Sequence, residues 1–433
     1  MDVTGEYLYI HRKIHPVKRT YPNTVVNVMS AKSPIAVDSL ATSLMANEEY
    51  HKQISPAVNA LRLLGMLPLE MSSDGVPSFR ILSPIMAYSV CIYIFKMFTA
   101  YNMICTVVLP SFLRNDDFVN IIINWVSLIG LFILAFSSIL MWLDSSKFIL
   151  HMKKWSYFQG LFREVTRQQL VLGIRTRCLI FSIINVLMGI CSFGINICIL
   201  GTNIWPLPYY FFLSTILGSH GVYRVVSYST LITAGQSLVL SFKNDEKQGN
   251  LSAYLIGEYR VLWLRLSQLA SETGVVMGKA TVFFLSLHLF ALTMSLYGCL
   301  AGILTKGHSV MESAGLGIGF MFGAASLYGI CSMAHETTAT IGTEIQEQLQ
   351  LMSSHSLRPE TNIQVREFLQ TISMNPPLIS VLGFVVVNKG MAKSYASALV
   401  TYMIVLLQFN MGQPDGKCDC NVTHNGTEPR IIY

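Results

Sequence analysis

Seven stretches of mostly apolar residues constrain this chain most, because each is long enough to cross a bilayer as a helix, which takes about 20 such residues. Only 12% of the 433 residues are charged and 52% are hydrophobic, whereas about 25% of a soluble chain is charged. The sequence therefore predicts an all-α integral membrane protein with seven transmembrane helices. The predicted spans are Pro84–Leu109, Phe118–Leu143, Cys178–Leu200, Pro208–Leu240, Ala280–Ile303, Ala314–Ala334 and Met391–Met411.

Lys and Arg alternate sharply between the two sides of these spans. Of the 30 such residues, 23 lie before the first span or in every second connection after it, and four lie on the other side. Positive charge stays in the cytoplasm, so the N-terminus is predicted to be cytoplasmic and the C-terminus extracellular. Residues 1–30 mix charges with prolines and have no apolar core, so no secretory signal peptide is expected and the first span should direct insertion.

The tail 412–433 supports this orientation, because Asn421 and Asn425 each begin an Asn-X-Thr glycosylation sequon, and such sequons are used on the lumenal side. Several cysteines also map near the predicted outer face, where disulfides persist. Their pairing does not follow from the sequence. These cysteines are Cys105, Cys198, Cys299, Cys418 and Cys420.

Orientation and missing motifs exclude several classes of protein. G-protein-coupled receptors place the N-terminus outside, and this chain has no Asp-Arg-Tyr motif. The common phosphate-loop, zinc-protease and serine-hydrolase motifs are absent, so no enzyme, cofactor or metal site is predicted. The spans contain no Asp or Glu and no internal repeat, which weighs against a proton-coupled transporter. The modest net charge of +6 gives no indication of nucleic-acid binding.

The predicted cytoplasmic segments carry apolar residues at helical spacing. Residues 1–83 read as mostly irregular, with a short helix over Ala57–Met66 leading into the first span, and the basic loop 144–177 could hold interfacial helix. Residues 251–279 form an amphipathic helix pattern, which is repeated over 335–373 with a break near Ser353–Pro359. Such stripes need partners: they could pack on each other or on the same helices of other subunits.

The fourth span contains most of the polar side chains that attract a functional interpretation. His220 and Arg224 are one helical turn apart and share a face, and Tyr223 and Tyr228 lie nearby. An arginine in lipid is costly unless it has partners or water. These residues form either the polar floor of a ligand pocket or a structural hydrogen-bond network between spans.

The last span presents small and weakly polar residues every three or four positions. This pattern suits close helix packing or a pore lined by one helix from each subunit and closed by an apolar constriction, and periodicity does not decide between the two. The stripe consists of Ser394, Ser397, Ala398, Thr401, Val405 and Gln408.

The end of this span carries a motif. Thr401-Tyr402, five hydrophobic residues and Gln408-Phe409 resemble in full the pattern that ends insect gustatory receptors. Within that family the chain is similar to the carbon-dioxide receptor clade, and the likeness is dense from about residue 250 to 411. The segments that carry it are Glu258–Trp263, Ile330–Cys331, Ala334–Glu336 and Asn375–Leu378.

The resemblance implies a ligand-gated cation channel of four subunits in the plasma membrane of chemosensory neurons, formed with copies of itself or with sister subunits. It implies a small-molecule pocket within 84–334, anchor helices over 335–390 and a pore-lining seventh span over 391–411, after the cytoplasmic segment 1–83. The ligand would be carbon dioxide, bicarbonate or an odorant. The alternatives are an accessory subunit that does not conduct, or a seven-span receptor or transporter for another small ligand. The pore and gate residues would be Ala398, Thr401, Val405, Leu406, Leu407, Gln408 and Phe409.

Overall fold

The structure is a computed structural model that describes residues 49–71, 77–113, 118–200, 207–304, 310–353 and 358–411. Nearly all of these residues are helical. A π-helical turn at Ile104–Val108 connects the helices Pro84–Met103 and Leu109–Leu113. The helices are α1 (Glu49–Leu63), α2 (Pro84–Met103), α3 (Leu109–Leu113), α4 (Phe118–Thr166), α5 (Arg175–Leu200), α6 (Leu207–Lys247), α7 (Ala253–Val275), α8 (Gly278–Leu304), α9 (Val310–Ser353), α10 (Pro359–Met374) and α11 (Lys389–Met411).

Three helices are far longer than a bilayer requires. The lengths of α4, α6 and α9 are 49, 41 and 44 residues, which at about 1.5 Å per residue is roughly 60–75 Å. A hydrocarbon core is about 30 Å thick, so each helix continues well beyond it. The basic connection 144–177, which was expected to hold some interfacial helix, is a direct continuation of α4 as far as Thr166.

Six helices among the described residues are long and apolar enough to cross a membrane, beginning with Pro84–Leu113 and ending with Ser313–Met352. The first six predicted spans all lie within these helices and their extensions. The last predicted span corresponds to α11, which is not one of the six; several side chains at its C-terminal end lie outside the described residues. A seventh span and the orientation of the termini therefore remain predictions.

Helix α6 is the centre of the bundle. It packs against α1, α2, α4, α5, α7 and α9, and buried residues recur along its length from Leu207 to Phe242. Because it is enclosed on most sides, polar side chains on α6 must find partners on neighbouring helices rather than in lipid.

We call α7, α10 and the C-terminal part of α9 the anchor layer. Their apolar stripes pack on each other within one chain, which answers the question left open by the sequence. Trp263 of α7, Ile341 of α9 and Phe368 of α10 are almost completely buried in one core. Trp263 also donates from Nε1 to the Ile341 carbonyl at 2.8 Å.

The N-terminal part of the described chain differs from its prediction. Helix α1 begins eight residues earlier than the predicted helix, at Glu49, and ends at Leu63. It does not lead directly into α2, because the strands Glu70–Met71 (β1) and Pro77–Ser78 (β2) pair antiparallel between them. Gln53 Oε1 accepts the backbone N–H of Arg175 at 2.7 Å, so α1 packs at the start of α5.

A second short hairpin, Ser380–Val381 (β3) with Val385–Val386 (β4), lies between α10 and α11. Its first strand presses against α7, where a Cβ on Gly274 would lie 2.2 Å from the Ser380 carbonyl oxygen. Asp144 of α4 accepts the Lys279 backbone N–H at 3.1 Å in the first turn of α8, where a carboxylate is favoured by the helix dipole. These contacts fix the junction from which α8 and α11 rise.

Candidate functional site

Helix α11 has a packed face and an open face. Met391, Leu399 and Met403 are buried at a spacing of four or eight residues, and α11 packs on α8 and α9. The opposite face is exposed within the single chain. The predicted stripe lies there: Ser394, Ser397, Thr401, Val405 and Gln408 are exposed, and Ala398 is half-buried.

Two tyrosine hydroxyls connect α11 to α8. Tyr395 donates to the Leu285 carbonyl at 3.4 Å, and Tyr297 lies 3.5 Å from the Leu406 carbonyl. Leu406 packs on the small cluster of Ile122, Tyr297 and Met403, so its side chain braces the helix. The side chains of Leu407 and Phe409 lie outside the described residues.

The fourth predicted span brings three of its four candidate residues together. Arg224 donates from Nε to His220 Nε2 at 3.2 Å and from Nη1 to the Tyr228 hydroxyl at 3.3 Å. Its Nη2 donates to Thr281 Oγ1 of α8. Arg224 and His220 are each only 7% exposed, so the guanidinium is removed from solvent and from lipid. We call Arg224, His220, Tyr228 and Thr281 the arginine cluster.

The arginine cluster contains a cation and no carboxylate. Among the described residues, no Asp or Glu forms an ion pair with Arg224. A guanidinium has five N–H donors, and the contacts above use three of them. A buried charge left without a counter-ion is costly, so the remaining N–H groups favour an anion or a strongly polar ligand.

The arginine cluster lies at the base of α11. Thr281 is in the first turn of α8, at the end of the bundle where the anchor layer packs. Tyr228 belongs to the same buried cluster as Val381, Met391 and Leu399. Arg224 is thereby connected, through its hydrogen bond to Tyr228, with a buried cluster that includes residues of α11.

Tyr223 does not join the arginine cluster. Its ring packs on Phe148 of α4 with the centroids 5.7 Å apart, because position 223 faces a different side of α6 from position 224. Lys96 faces the interior of the bundle and donates to Ser138 Oγ at 3.0 Å. His288 of α8 contacts the Gly323 carbonyl of α9 at 3.1 Å.

Other predicted features receive less support. Cys105 and Cys299 are free thiols, while the side chains of Cys198, Cys418 and Cys420 lie outside the described residues, as do Asn421 and Asn425. Within the described part of the chain, no group of His, Cys, Asp or Glu side chains is arranged to hold a metal ion.

A family model described as "7tm Chemosensory receptor" matches residues 54–413. The chain belongs to this family. It is 28% identical over 363 residues to gustatory and odorant receptor 24 of Anopheles gambiae, covering 83% of this chain and 78% of that one. It is 24% identical over 379 residues to gustatory and odorant receptor 22 of the same organism, covering 84% and 78%. These matches confirm the resemblance to insect gustatory receptors, and the relatives are receptors rather than enzymes.

Solved structures of insect olfactory receptors share the fold of this chemosensory receptor. The olfactory receptor OR5 from Machilis hrabei superposes with a TM-score of 0.55 at 14% identity, covering 83% of this chain and 99% of that one. The same receptor in complex with eugenol superposes with a TM-score of 0.51. Family and apolar helices together make the chain a multi-pass membrane protein.

Sequence reasoning missed Thr281, Tyr297 and Tyr395 as partners of the candidate residues. The contact between Arg224 and Thr281 joins positions 57 apart in sequence, and no spacing rule links two different spans. Tyr395 and Tyr297 were detectable only as polar side chains in apolar helices, which buried tyrosine tolerates when its hydroxyl finds a carbonyl.

Proposed function

We propose that this chain is a subunit of a ligand-gated cation channel in which the open face of α11 lines the pore. The exposed stripe from Ser394 to Gln408 carries this proposal. Ser394 and Thr401 donate to carbonyls of their own helix, but the exposed Gln408 amide on a membrane helix needs water or a polar partner. A central pore shared by several subunits supplies water. The packed face against α8 and α9 links the pore helix to the rest of its own subunit.

Four subunits around one axis would bring four α11 helices together, as copies of this chain or with sister subunits. Leu406, Leu407, Gln408 and Phe409 at the far end of α11 would form or brace the gate, and Ala398, Thr401 and Val405 would line the path below it. The plasma membrane of chemosensory neurons is the setting in which such a channel would act.

For the ligand we propose carbon dioxide, sensed as such or as bicarbonate, because the similarity to the carbon-dioxide receptor clade includes the segments around α7 and the base of α11. The arginine cluster supports an anionic ligand, since Arg224 has N–H donors that its described partners do not use. A ligand opens the channel only to the extent that it binds the open state more tightly, and Tyr228 of the arginine cluster shares a buried cluster with Met391 and Leu399 of α11.

The test of the channel is whole-cell current from cells that express this chain alone and with sister subunits, under carbon dioxide, bicarbonate and small odorants. Gln408→Ala should change the ratio of permeant cations while surface expression stays normal. Met188→Ala, on an exposed face of α5, is the matched control and should leave selectivity unchanged. If the ion selectivity of the current is unchanged in Gln408 and Thr401 variants, the chain is instead an accessory subunit beside a pore formed by other subunits.

The test of the ligand site is the dose–response curve of Arg224→Gln, which removes the charge but keeps hydrogen-bonding capacity. We expect the half-maximal concentration of bicarbonate or carbon dioxide to rise by about tenfold or more, as for loss of one charge-assisted hydrogen bond of about 1.5–3 kcal/mol. An unchanged curve, with normal surface labelling, would remove Arg224 from the ligand site and leave the channel proposal standing.

A further inference from the structure

A cavity of about 240 Å³ lies outside the spanning region, between α1, the β1–β2 hairpin and α4. Its polar lining comes from one helix: His51, Ser55, Asn59 and Arg62 are spaced four, four and three residues apart and therefore share a face of α1. Pro77 of β2 and Met152 of α4 form apolar walls. Three separate elements of the fold thus meet around one space.

The opposite side of α1 explains why this polar face is held in place. Tyr50, Ile54 and Leu61 are at most 1% exposed, and Tyr50 stacks on Trp155 of α4 with ring centroids 4.7 Å apart. With its apolar side fixed in the core, α1 cannot rotate its polar face away from the cavity. The site is therefore largely pre-formed, as ligand sites usually are.

The charge of the lining has one sign. Arg62 carries a positive charge, and no acidic side chain among the described residues lines the cavity. His51 Nδ1 is buried and has no hydrogen-bond partner, which is uncommon for a buried polar atom. Burial, and then the nearby Lys52, lower the pKa of His51, so the imidazole is neutral and offers one N–H. Asn59 donates to Ser55 Oγ at 3.3 Å and keeps a second N–H.

We propose that this cavity binds a small oxyanion from the side of the membrane on which α1 lies, with Arg62 as the charged contact and Asn59, Ser55 and His51 as hydrogen-bond donors. Its volume is below the roughly 300–1,000 Å³ of pockets for drug-sized ligands, so it fits a phosphate or bicarbonate group rather than a large odorant. A planar guanidinium matches such oxygens in a bidentate arrangement. This site is separate from the arginine cluster and does not depend on the identity of the sensed ligand.

Such an anion would fill the space between α1, the hairpin and α4, with all of its polar contacts on α1. Met152 lies one residue from His151, which contacts Glu272 of the anchor layer, and α1 also packs on α5 and α6. Binding would therefore stabilise the position of these helix ends relative to one another, and cytoplasmic anion concentration would tune the channel under the predicted orientation.

The experiment is isothermal titration calorimetry on the full-length protein in nanodiscs, with inorganic phosphate and bicarbonate in separate arms. We expect saturable binding of at least one anion, weakened by about tenfold or more in Arg62→Gln because a charge-assisted contact is lost. Lys52→Gln, an exposed neighbour on the same helix, removes the same charge outside the cavity and should bind like the unmodified protein. Because bicarbonate is also the proposed ligand of the arginine cluster, the arm whose binding is weakened by Arg62→Gln identifies the oxyanion of this cavity.

Asn59→Leu gives a second variant at an exposed position of α1, which fills the cavity mouth without removing a charge and should also weaken binding. No saturable heat with either anion, or equal affinity in Arg62→Gln, Asn59→Leu and Lys52→Gln, would overturn the proposal. Because the measurement is binding and not current, its failure says nothing against the channel, and a silent channel says nothing against the site.

Discussion

The anchor layer and α11 use apolar residues in opposite ways. In the anchor layer, Trp263, Ile345 and Phe368 are fully buried by other parts of the same chain. On α11, Val400, Tyr402 and Ile404 are between 51% and 60% exposed, and the polar stripe beside them is exposed too. The chain completes the core of its anchor layer alone, whereas α11 leaves one face for lipid, water or another subunit.

Polar contacts are also shorter in the anchor layer than between α11 and α8. The anchor layer contains short hydrogen bonds such as that of the Tyr259 hydroxyl to Asp245 Oδ2 at 2.6 Å, and an ion pair between Arg260 and Glu367. The hydroxyl contacts that connect α11 to α8 are 3.4 and 3.5 Å long, near the limit of a hydrogen bond. The difference is consistent with the proposal that α11 lines a gated pore while the anchor layer holds its base.

The largest expected effect is that of Trp263→Ala in the anchor layer. The change leaves a large cavity and removes the hydrogen bond from the indole Nε1 to the Ile341 carbonyl. We expect a loss of about 3–5 kcal/mol in the free energy of unfolding, measured by thermal or denaturant unfolding of the purified protein.

Tyr254→Ala is the control for this prediction, because Tyr254 lies on the same helix and is 77% exposed. Its effect should stay within about 0.5 kcal/mol. Equal stability of the two variants would contradict the view that each chain buries its own anchor core.

A smaller loss is expected for Gly274→Ala, where the anchor layer meets the β3–β4 hairpin that precedes α11. The new Cβ would lie 2.2 Å from the Ser380 carbonyl oxygen. Because this atom belongs to the backbone of β3, the clash can be relieved only by shifting the strand. Overpacking of this kind costs about 1–3 kcal/mol.

Gly257→Ala on the same helix provides the matched control, because its Cβ would meet only Gln364 Oε1 at an ordinary 3.5 Å. Alanine there should be neutral or slightly stabilising, as is usual for a helix interior. If both alanines are tolerated, α7 does not hold the base of α11.

Much of this architecture could be predicted from the sequence. The apolar lengths and the two amphipathic stripes predicted the helices and the break before Pro359, because periodicity reports the buried face of a helix directly. The hairpin at Ser380–Val386 could not be predicted, since two-residue strands carry too few residues for a pattern. The sequence did not predict that α4 continues unbroken to Thr166. Charged residues are typical of a connection between spans when the helices that pack on them are unknown.

The candidate site, too, could be predicted only where its residues lie on one helix face. His220, Arg224 and Tyr228 were predictable because a spacing of four places them on one helix face. Tyr223 packs on Phe148 instead of joining the cluster, since adjacency in sequence does not give adjacency on a helix. The cavity beside α1 had no signal, because its lining converges from elements separated by as many as 101 positions, from His51 to Met152.

A weaker, pH-dependent effect is expected at Glu272, which connects the anchor layer to α4. Burial raises the pKa of Glu272, but the hydrogen bond from Lys154 and the nearby His151 lower it by more than burial raises it, so its pKa lies below the ordinary value. A depressed pKa means that the carboxylate stabilises the fold above about pH 4.3, and that this contribution is lost as pH falls through the folded-state pKa.

Glu272→Gln should therefore unfold at a lower temperature than the unmodified protein at neutral pH, and the difference should shrink as the pH falls below about 4. Glu336→Gln, at an exposed position of α9, should show no such difference. A constant gap at every pH would mean that Glu272 acts through its shape and not its charge.

The smallest effect on stability is expected on the open face of α11. Thr401→Val keeps the size of an exposed side chain and removes only a hydroxyl that bonds to its own helix at Ser397, so the free energy of unfolding should change by no more than about 0.5 kcal/mol. Leu399→Ala, on the packed face two residues away and 8% exposed, should cost about 2 kcal/mol or more. Conductance should respond in the reverse order, because the hydroxyl at 401 would face permeant ions while Leu399 faces its own subunit. A Thr401→Val protein that unfolds as readily as Leu399→Ala would show that the stripe is a packing surface, and the contrast between the anchor layer and α11 would then be one of degree.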